Sequence, residues 1–299
     1  MESERWVFIN GEYKRKAEAM VSVFDHGFLY GDGVFEGIRV YSGNVFRLHE
    51  HMIRLYESAK SILLDIPYTL EELEAHVVET VRKNQLLDAY IRLIVSRGEG
   101  PLGLDPAECI GANVIVIVDK IRLYPQELYD KGLSVVTVPT RRNIPDALNP
   151  RVKSLNYLNN ILAKTEAKQA GAQEAIILSS DGYVTEGSSD NIFMVKDNVL
   201  YTPPCYLGAL KGITRQSIID IAAELGYQVK EAPFTRHDVF IADEVLLTGT
   251  GAEVISVVQV DGRPIGDGVP GPVFKDLITQ FRKLVTYDGI SAFPSEVKL

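Results

Sequence analysis

Two apolar stretches decide the fold class of this 299-residue chain: residues 89–98, AYIRLIVSRG, and residues 112–120, ANVIVIVDK. Each has the length and the β-branched content of a strand. A helical pattern comes before them, with apolar residues three and four apart at Met52, Leu55, Ala59 and Ile62. A second helix is predicted to open at Thr69, because Glu72 completes a capping box there. Helices that lead into paired strands indicate an α+β unit.

The chain divides on this pattern into two α+β domains. We predict a smaller N-terminal domain over residues 1–120, a polar and proline-containing linker over 121–131, and a larger C-terminal domain over 132–299. Three helices are predicted in the larger domain, at about residues 157–170, 214–225 and 273–286. Strands and helices alternate irregularly, so the sequence favours an α+β fold over a doubly wound sheet.

Composition and charge exclude several classes of protein. Hydrophobic residues make up 46% of the chain and charged residues 24%, as is usual for a folded domain. The formal charge of −9 argues against a nucleic-acid partner, which needs a basic face. The most apolar run, Val114–Val118, is too short to span a bilayer. Cys109 and Cys205 form no disulfide framework, and the first residues lack a signal-type apolar segment, so a cytoplasmic location is predicted.

Familiar metal and nucleotide motifs are missing from the sequence. It contains no phosphate-binding loop with a lysine, no H-E-x-x-H and no G-x-S-x-G. His49 and His51 flank Glu50, but one helical turn points the two rings apart, so no metal site is expected.

Four local features have the chemistry of a catalytic site, although each also fits a plain structural role. Lys153 precedes a helix and is either a solvated lysine or an amine that attacks a carbonyl. Arg54 lies in an amphipathic helix and is either a surface residue or a phosphate ligand. Glu186 sits at a glycine-linked strand junction, as a solvated turn residue or as a carboxylate aimed into a cleft. The amides of residues 212–214 open a helix, which is simply capped or binds an anion.

These four features together match the needs of one cofactor, pyridoxal 5′-phosphate. The lysine supplies an imine, the carboxylate meets the pyridine nitrogen, and the arginine and helix N-terminus hold the phosphate. Spacing alone does not show that the four converge.

Seven sequence blocks resemble the fold-type IV pyridoxal-phosphate enzymes, and most closely the branched-chain amino acid aminotransferases. They stand in the family's order as YGDGVFEGIRVY, FRLHEHMIRLYESAK, AYIRLIVSRGEGPLGLDP, VKSLNYLNNILAKTEA, VTEGSSDNIFMV, LKGITR and LLTGTGAEV. The resemblance covers nearly the whole chain. It implies the two-domain architecture shared with the D-amino acid aminotransferases and the ping-pong transamination of leucine, isoleucine and valine with 2-oxoglutarate. It also implies a homodimer or larger homo-oligomer.

The resemblance also implies a role for each matching residue. Lys153 is expected to be the Schiff-base lysine and the proton-shuttling base. The other cofactor-binding residues implied are Arg54, Tyr157, Glu186, Leu210, Gly212, Ile213, Thr214 and Thr250. The substrate-binding residues implied are Tyr30, Phe35, Gly37, Tyr90, Arg92, Leu104, Gly251 and Ala252, with Leu104 reaching the neighbouring subunit's pocket.

Relatives with the same fold supply the competing functions. D-amino acid aminotransferases carry an Arg-x-His element after the block SRG, where this chain has Leu102 and Leu104. Aminodeoxychorismate lyases carry a more basic loop there, which is also missing. The compact KSLNY after the lysine is a D-type feature, so the register of Tyr157 is less fixed than that of Lys153. A protein that binds the cofactor without turnover is the alternative from another class, but Lys153, Arg54 and Glu186 are all retained.

Overall fold

The computed structural model describes residues 4–120 and 124–293. Contacts divide this part of the chain into two compact units. Unit 1 contains residues 4–120, Val152–Asn156 and residues 284–293, and unit 2 contains residues 124–151 and Tyr157–Lys283.

The described residues form eight α-helices and sixteen strands. The helices are α1 (His26–Tyr30), α2 (Leu48–Ser61), α3 (Leu70–Asn84), α4 (Gln126–Lys131), α5 (Leu158–Gln169), α6 (Ile213–Glu224), α7 (Arg236–Phe240) and α8 (Pro272–Leu284). The strands are β1 (Trp6–Ile9), β2 (Glu12–Arg15), β3 (Gly33–Tyr41), β4 (Asn44–Phe46), β5 (Ala89–Ser96), β6 (Asn113–Asp119), β7 (Leu133–Arg141), β8 (Glu174–Leu178), β9 (Val184–Glu186), β10 (Asn191–Lys196), β11 (Val199–Thr202), β12 (Gln228–Glu231), β13 (Glu244–Gly249), β14 (Glu253–Val260), β15 (Arg263–Pro264) and β16 (Gly289–Ser291).

Unit 1 is built on a seven-stranded antiparallel sheet in the order β16-β4-β3-β5-β6-β1-β2. The apolar stretches at residues 89–98 and 112–120 form β5 and β6, which pair with each other. Strand β3 is buried along its whole length, so its alternating side chains serve two faces. Val34, Ile38 and Val40 enter the apolar core on one face, which leaves Phe35 and Gly37 for the other.

Helices α2 and α3 cover the core face of this sheet. The predicted apolar stripe of α2 is confirmed, since Met52 and Leu55 are fully buried and Ala59 nearly so. The capping box at the start of α3 is also confirmed: the Thr69 side chain accepts from the Glu72 amide, and the Glu72 carboxylate accepts from the Thr69 amide. Local chemistry therefore sets where this helix begins.

Unit 2 is built on a nine-stranded mixed sheet in the order β12-β11-β10-β13-β14-β7-β8-β9, with β15 also paired to β14. The pairs β11–β12, β14–β7 and β7–β8 are parallel, and the other pairs are antiparallel. The prediction of an α+β fold is confirmed, because helices and a largely antiparallel sheet occur in each unit.

The three long helices predicted for unit 2 are present as α5, α6 and α8. Gly171 and Gly226 follow α5 and α6 with φ of 76° and 83°, the left-handed conformation that ends helices at glycine. Leu225 is 39% exposed, since it is the residue after α6 and lies past the buried stripe of Ile218 and Ala222.

The division of the chain differs from the predicted one in two places. Segment Val152–Asn156, with Lys153, belongs to unit 1, although the predicted C-terminal domain, residues 132–299, includes this lysine. The predicted linker holds helix α4, and its first residues, 121–123, lie outside the described part of the chain. The segment Val152–Asn156 could not be assigned to unit 1 from the sequence, because five residues are too few to show a change in composition.

In the described ranges, no helix combines the length and the apolar character needed to cross a membrane.

A buried cluster of charges lies in unit 2 beside the β13–β14 hairpin. Glu174 is fully buried, and its carboxylate accepts from Lys164 Nζ at 2.5 Å and from the Ser188 amide at 2.9 Å. Burial, and next the charge of Glu174, raise the pKa of Asp190 to about 7. Asp190 is packed against the hairpin, because a methyl group on Gly249 would overlap its Oδ1.

The raised pKa of Asp190 predicts that the protein loses stability as the pH rises from about 4 to 7. The unfolded chain releases this proton at about pH 3.9, whereas the folded chain holds it until about pH 7. Asp190→Asn should therefore raise the melting temperature at pH 8 far more than at pH 5. Calorimetry at the two pH values checks this, with the exposed Asp181→Asn as control, and equal effects at both would contradict it.

Candidate active site

The predicted site residues are divided between the two units. Unit 1 carries Tyr30, Phe35, Gly37, Arg54, Tyr90, Arg92, Leu104 and Lys153. Unit 2 carries Tyr157, Glu186, Leu210, Gly212, Ile213, Thr214, Thr250, Gly251 and Ala252.

Lys153 is held in unit 1 by its backbone. Its amide donates to Ser58 Oγ at 3.2 Å, and its carbonyl accepts from the Phe35 amide at 2.9 Å. The next residue, Ser154, forms an antiparallel bridge with Val34. The ammonium Nζ lies 4.6 Å from the centroid of the Phe35 ring. Lys153 is therefore a half-buried residue on a fixed backbone, with its amine over an aromatic ring.

Phe35, Gly37, Tyr90 and Arg92 come together on one face of the β3–β5 pair. The Arg92 guanidinium lies 4.5 Å from the Phe35 ring centroid, and its Nη2 donates to Tyr90 Oη at 3.2 Å. A methyl group on Gly37 would overlap the Tyr90 hydroxyl, so only glycine lets that hydroxyl approach the strand. The face thus presents an aromatic ring and a cation side by side.

Arg54 is buried in α2 and forms a two-point ion pair with Glu36 of β3. Its Nε and Nη2 donate to the two carboxylate oxygens at 2.7 and 2.8 Å. The Nδ1–H of His51, one helical turn away, donates to Glu36 Oε2 at 2.7 Å. The interpretation of Arg54 as a surface residue is therefore wrong, and its guanidinium is fixed in orientation.

The electrostatics of this triad favour a charged pair beside a neutral ring. Burial alone would raise the pKa of Glu36, but Arg54 and His51 together hold it well below its ordinary value. Burial lowers the pKa of His51, and the opposing pull of Glu36 does not restore it. The Arg54 and Lys153 cations lower the pKa of His51 further, which also shows that Lys153 lies near this triad.

Tyr30 and Leu104 are both exposed residues of unit 1. The Tyr30 hydroxyl donates to the Leu102 carbonyl at 2.7 Å, so it binds the loop that carries Leu104. Leu104 itself is 79% exposed.

Glu186 lies at the end of β9 in unit 2 and is buried. Its Oε1 is 2.8 Å from Arg142 Nη2, and its Oε2 accepts from the Leu210 amide at 2.8 Å. Arg142 is held in turn by the Gly208 carbonyl at 3.1 Å and by the Asn160 side chain at 2.9 Å. The solvated-turn interpretation of Glu186 is wrong, because this carboxylate is fixed in a buried network.

Asn191 connects Glu186 to the start of helix α6. Its Nδ2 donates to the Leu210 carbonyl at 2.8 Å and lies 3.4 Å from Glu186 Oε2. A methyl group on Gly212, the residue before α6, would overlap Asn191 Oδ1, so glycine is required there. Within the described part of the chain no side chain caps this helix, which leaves the amides of its first turn for an anion.

The β13–β14 hairpin brings the remaining predicted residues of unit 2 to the same strand end. Gly249 pairs with Glu253, so Thr250, Gly251 and Ala252 form the loop between them. Thr248 of β13 lies opposite Asn191 of β10, which places the loop beyond the Glu186 network.

Tyr157 lies immediately before α5 and near this network along the chain. It occupies the N-cap position, and its carbonyl accepts from the Ile161 amide at 3.0 Å. Asn159 and Asn160 of the same helix start both accept from Arg142. The structure therefore brings Glu186, Leu210 and the α6 start together, with Tyr157 two residues from the Arg142 contacts.

Sequence reasoning missed four residues of these networks, namely Glu36, His51, Arg142 and Asn191. Glu36 and His51 carried a usable signal. Glu36 is a carboxylate in an apolar strand, and His51 lies three residues before Arg54 on one helix face. Arg142 gave no comparable signal, since its partner is 44 residues away in the sequence, from 142 to 186.

The family model for amino-transferase class IV matches residues 33–260 of the chain. A putative branched-chain-amino-acid aminotransferase of Methanocaldococcus jannaschii is 50% identical over 287 residues, which cover 96% of this chain and 99% of that one. A D-alanine aminotransferase of Bacillus licheniformis is 37% identical, over 93% and 96% of the two chains. Among solved structures, the T.th. branched-chain amino acid aminotransferase complexed with N-(5′-phosphopyridoxyl)-L-glutamate has a TM-score of 0.91 at 39% identity, over 96% of each chain.

The chain belongs to the class IV aminotransferases, since the model covers most of it and the relatives match nearly its full length. Within this class it is similar to the branched-chain-amino-acid aminotransferases in both sequence and structure. The predicted family, fold and enzyme class are thereby confirmed, as is pyridoxal 5′-phosphate as cofactor. The individual roles of the site residues stay predictions.

The residues present fit this cofactor. The first turn of α6 has no side-chain cap from the described residues, as a phosphate-binding helix start requires. Thr248 Oγ1 is buried without a hydrogen-bond partner in the described ranges, on the strand next to Asn191. A buried donor of this kind is costly unless something bound to the protein accepts from it. No group of three or more metal-ligating side chains occurs in the part of the chain that the structure describes.

The Glu36–Arg54 pair predicts that Glu36→Gln will cost both stability and cofactor affinity. Removing one charge of a buried pair leaves the guanidinium uncompensated, at a cost of about 3 kcal/mol. Trp6, the single tryptophan of the chain, lies in unit 1, so its fluorescence during urea unfolding measures this cost.

The matched control is Asp288→Asn, which removes the carboxylate 2.7 Å from Arg47 in the same unit but at a more exposed site. It should cost less than about 1 kcal/mol and leave cofactor binding unchanged. Equal unfolding midpoints and equal cofactor dissociation constants for Glu36→Gln and the wild type would show that Glu36 does not hold Arg54.

Proposed function

We propose that this aminotransferase transfers the amino group of L-leucine, L-isoleucine or L-valine to 2-oxoglutarate, giving the branched 2-oxo acid and L-glutamate in two half-reactions. Its similarity to enzymes named for branched-chain amino acids supports this substrate class. The relative solved with a phosphopyridoxyl-L-glutamate adduct supports glutamate as the second partner.

The observation that carries the proposal is the mixed chemistry of the Phe35 face. One pocket has to accept an apolar side chain in the first half-reaction and a second carboxylate in the other. The Phe35 ring suits the first, and Arg92, stacked on that ring and bonded to Tyr90, suits the second. Gly37 lets the Tyr90 hydroxyl approach the strand, because any larger residue there would displace Tyr90 and the Arg92 guanidinium bonded to it.

Lys153 is assigned as the base that removes the proton from the substrate Cα. Its backbone bonds to Ser58 and Phe35 hold the start of the side chain, so the amine returns to one place in each cycle. A base positioned in this way contributes about 10²–10⁴-fold to the rate. Pyridoxal phosphate, when bound, supplies the electron sink for the pair left at Cα.

Arg54, the amides of Ile213 and Thr214, and Thr250 are assigned to the phosphate, with Gly212 giving access to the helix start. Glu186 is assigned to the pyridine nitrogen, with Leu210 against the ring and Tyr157 at the phenolic oxygen. Support for Glu186 comes from its burial and from Arg142, which neutralises the carboxylate and fixes its direction. A carboxylate at the ring nitrogen favours the protonated ring, which is the stronger electron sink.

The amides of Gly251 and Ala252 are assigned to the substrate carboxylate, helped by Tyr90. A hairpin loop that exposes successive N–H groups is a suitable anion site. The loop lies on the strand end that also carries the Glu186 network, which supports this assignment.

A homodimer or larger assembly in the cytoplasm completes the proposal. Large apolar side chains are exposed on two adjoining segments of unit 1, at Met20, Phe24, Phe28, Leu102, Leu104 and Ile110. The Phe24 carbonyl accepts from the Gly100 amide at 3.2 Å, so the two segments lie together. Contiguous apolar surface of this kind is typical of subunit contacts. A monomer in sedimentation analysis would contradict this assembly.

Single half-reactions of the purified enzyme test the substrate. The cofactor absorbance should change on adding L-leucine and recover with 2-oxoglutarate. Lys153→Ala should abolish both changes, whereas Lys60→Ala, an exposed lysine of α2, should keep them. A response to D-alanine without one to L-leucine would point to the D-amino acid activity of the same fold.

The Glu186 assignment predicts that Glu186→Gln will bind the cofactor yet lose most of the rate, because a neutral amide does not favour the protonated ring. Glu244→Gln is the matched control. Glu244 is also a buried carboxylate of unit 2, and it accepts from the Val273 and Phe274 amides at 2.9 Å. Both variants lose a buried charge, so a fall in kcat that occurs only in Glu186→Gln reports the effect of the carboxylate on the protonation of the cofactor ring. An unchanged kcat in Glu186→Gln would remove Glu186 from the ring nitrogen.

A further inference from the structure

The loop between β13 and β14 ends in a backbone conformation that is unfavourable for a residue with a side chain. Glu253, which closes the three-residue loop Thr250–Ala252 by pairing with Gly249, has a φ of 58°. This left-handed position is usually filled by glycine or asparagine, since a Cβ atom there is unfavourable. Glu253 and Ala252 are both buried, so contacts from the rest of unit 2 have to maintain the conformation.

Tyr129 of helix α4 makes one of these contacts. Its hydroxyl donates to the Ala252 carbonyl at 3.0 Å, a buried bond between residues 123 positions apart. The Tyr129 side chain is 6% exposed, so the bond is protected from competition by water. The Ala252 carbonyl belongs to the peptide group that leads directly into the strained Glu253.

Arg282 of helix α8 makes a second contact on the same side. Its Nε lies 3.5 Å from Glu253 Oε2, and its guanidinium lies 5.6 Å from the Tyr129 ring centroid. Helices α4 and α8, which are distant in sequence, therefore contact the consecutive residues Ala252 and Glu253, where the loop joins β14.

We propose that Tyr129 is a positioning residue for the substrate carboxylate. By holding the Ala252 carbonyl, it fixes the direction of the neighbouring amides of Gly251 and Ala252. This inference rests on the proposed assignment of those two amides to the carboxylate. Amides bind an anion well only when their direction is set before it arrives, because reorienting them on binding costs free energy.

Tyr129→Phe tests the inference, because it removes one oxygen atom and leaves the packing of the ring. The probes are 4-methylpentanoate and its amide, measured as inhibitors of the holoenzyme against L-leucine. The wild type should prefer the carboxylate over the amide, and Tyr129→Phe should lose roughly three- to tenfold of that preference, as expected for one hydrogen bond. KM for L-leucine should rise by a similar factor, with kcat and the cofactor dissociation constant nearly unchanged.

Tyr227→Phe is the matched control, since the Tyr227 hydroxyl in the same unit donates to Asp276 at 2.7 Å on an exposed site. It should keep the full preference for the carboxylate. A wild-type enzyme with no preference would overturn the carboxylate assignment and the inference together. A wild-type preference that Tyr129→Phe retains in full would overturn the positioning role alone and leave the proposed function standing.

Discussion

The ion pair between Glu186 and Arg142 is the interaction on which the arrangement of unit 2 depends. Two buried charges are costly unless each is fully bonded, and the chain meets this requirement with groups from separate elements. Arg142 bonds to the end of the Gly208 turn and to the start of α5, and Glu186 bonds to the amide of Leu210. The strand ends, the α5 start and the approach to α6 are therefore fixed relative to one carboxylate. On the proposed assignment of Glu186 to the pyridine nitrogen, the cofactor ring would meet a surface that is already fixed by these bonds.

In unit 1 the side chains of the proposed site are held in place by the two faces of one strand, β3. On the core face of β3, Glu36 fixes Arg54 against the helices. On the other face, Phe35 and Gly37 adjoin Tyr90 and Arg92. Neighbouring residues of a strand point in opposite directions, so a single strand orients both the proposed phosphate ligand and the proposed substrate face. The backbone bond from Phe35 to Lys153 adds the amine to the same strand.

Sequence alone predicted much of the fold, because its determinants are local. The apolar stripe of α2 and the capping box of α3 each depend on residues that are close in sequence, and both are confirmed. The membership of Lys153 in unit 1 was not predictable in this way, since the segment that carries it is too short to show a pattern. The site residues were predicted from the resemblance to the family, but the residues that hold them in place were not. Glu36 and Arg142 act through pairings between distant positions, which residue patterns do not encode.

The last strand of the described chain has a consequence for how the protein is made. Strand β16 pairs with β4 near the other end of the chain, and Asn44 and Arg47 bond to Val285 and Asp288. During synthesis the first-made sheet therefore keeps an open edge until residues beyond 283 have left the ribosome, whereas unit 2 extends only to Lys283. Translation delivers the parts of unit 1 first and completes it last, so the unit that starts earlier depends longer on protection from edge-to-edge association.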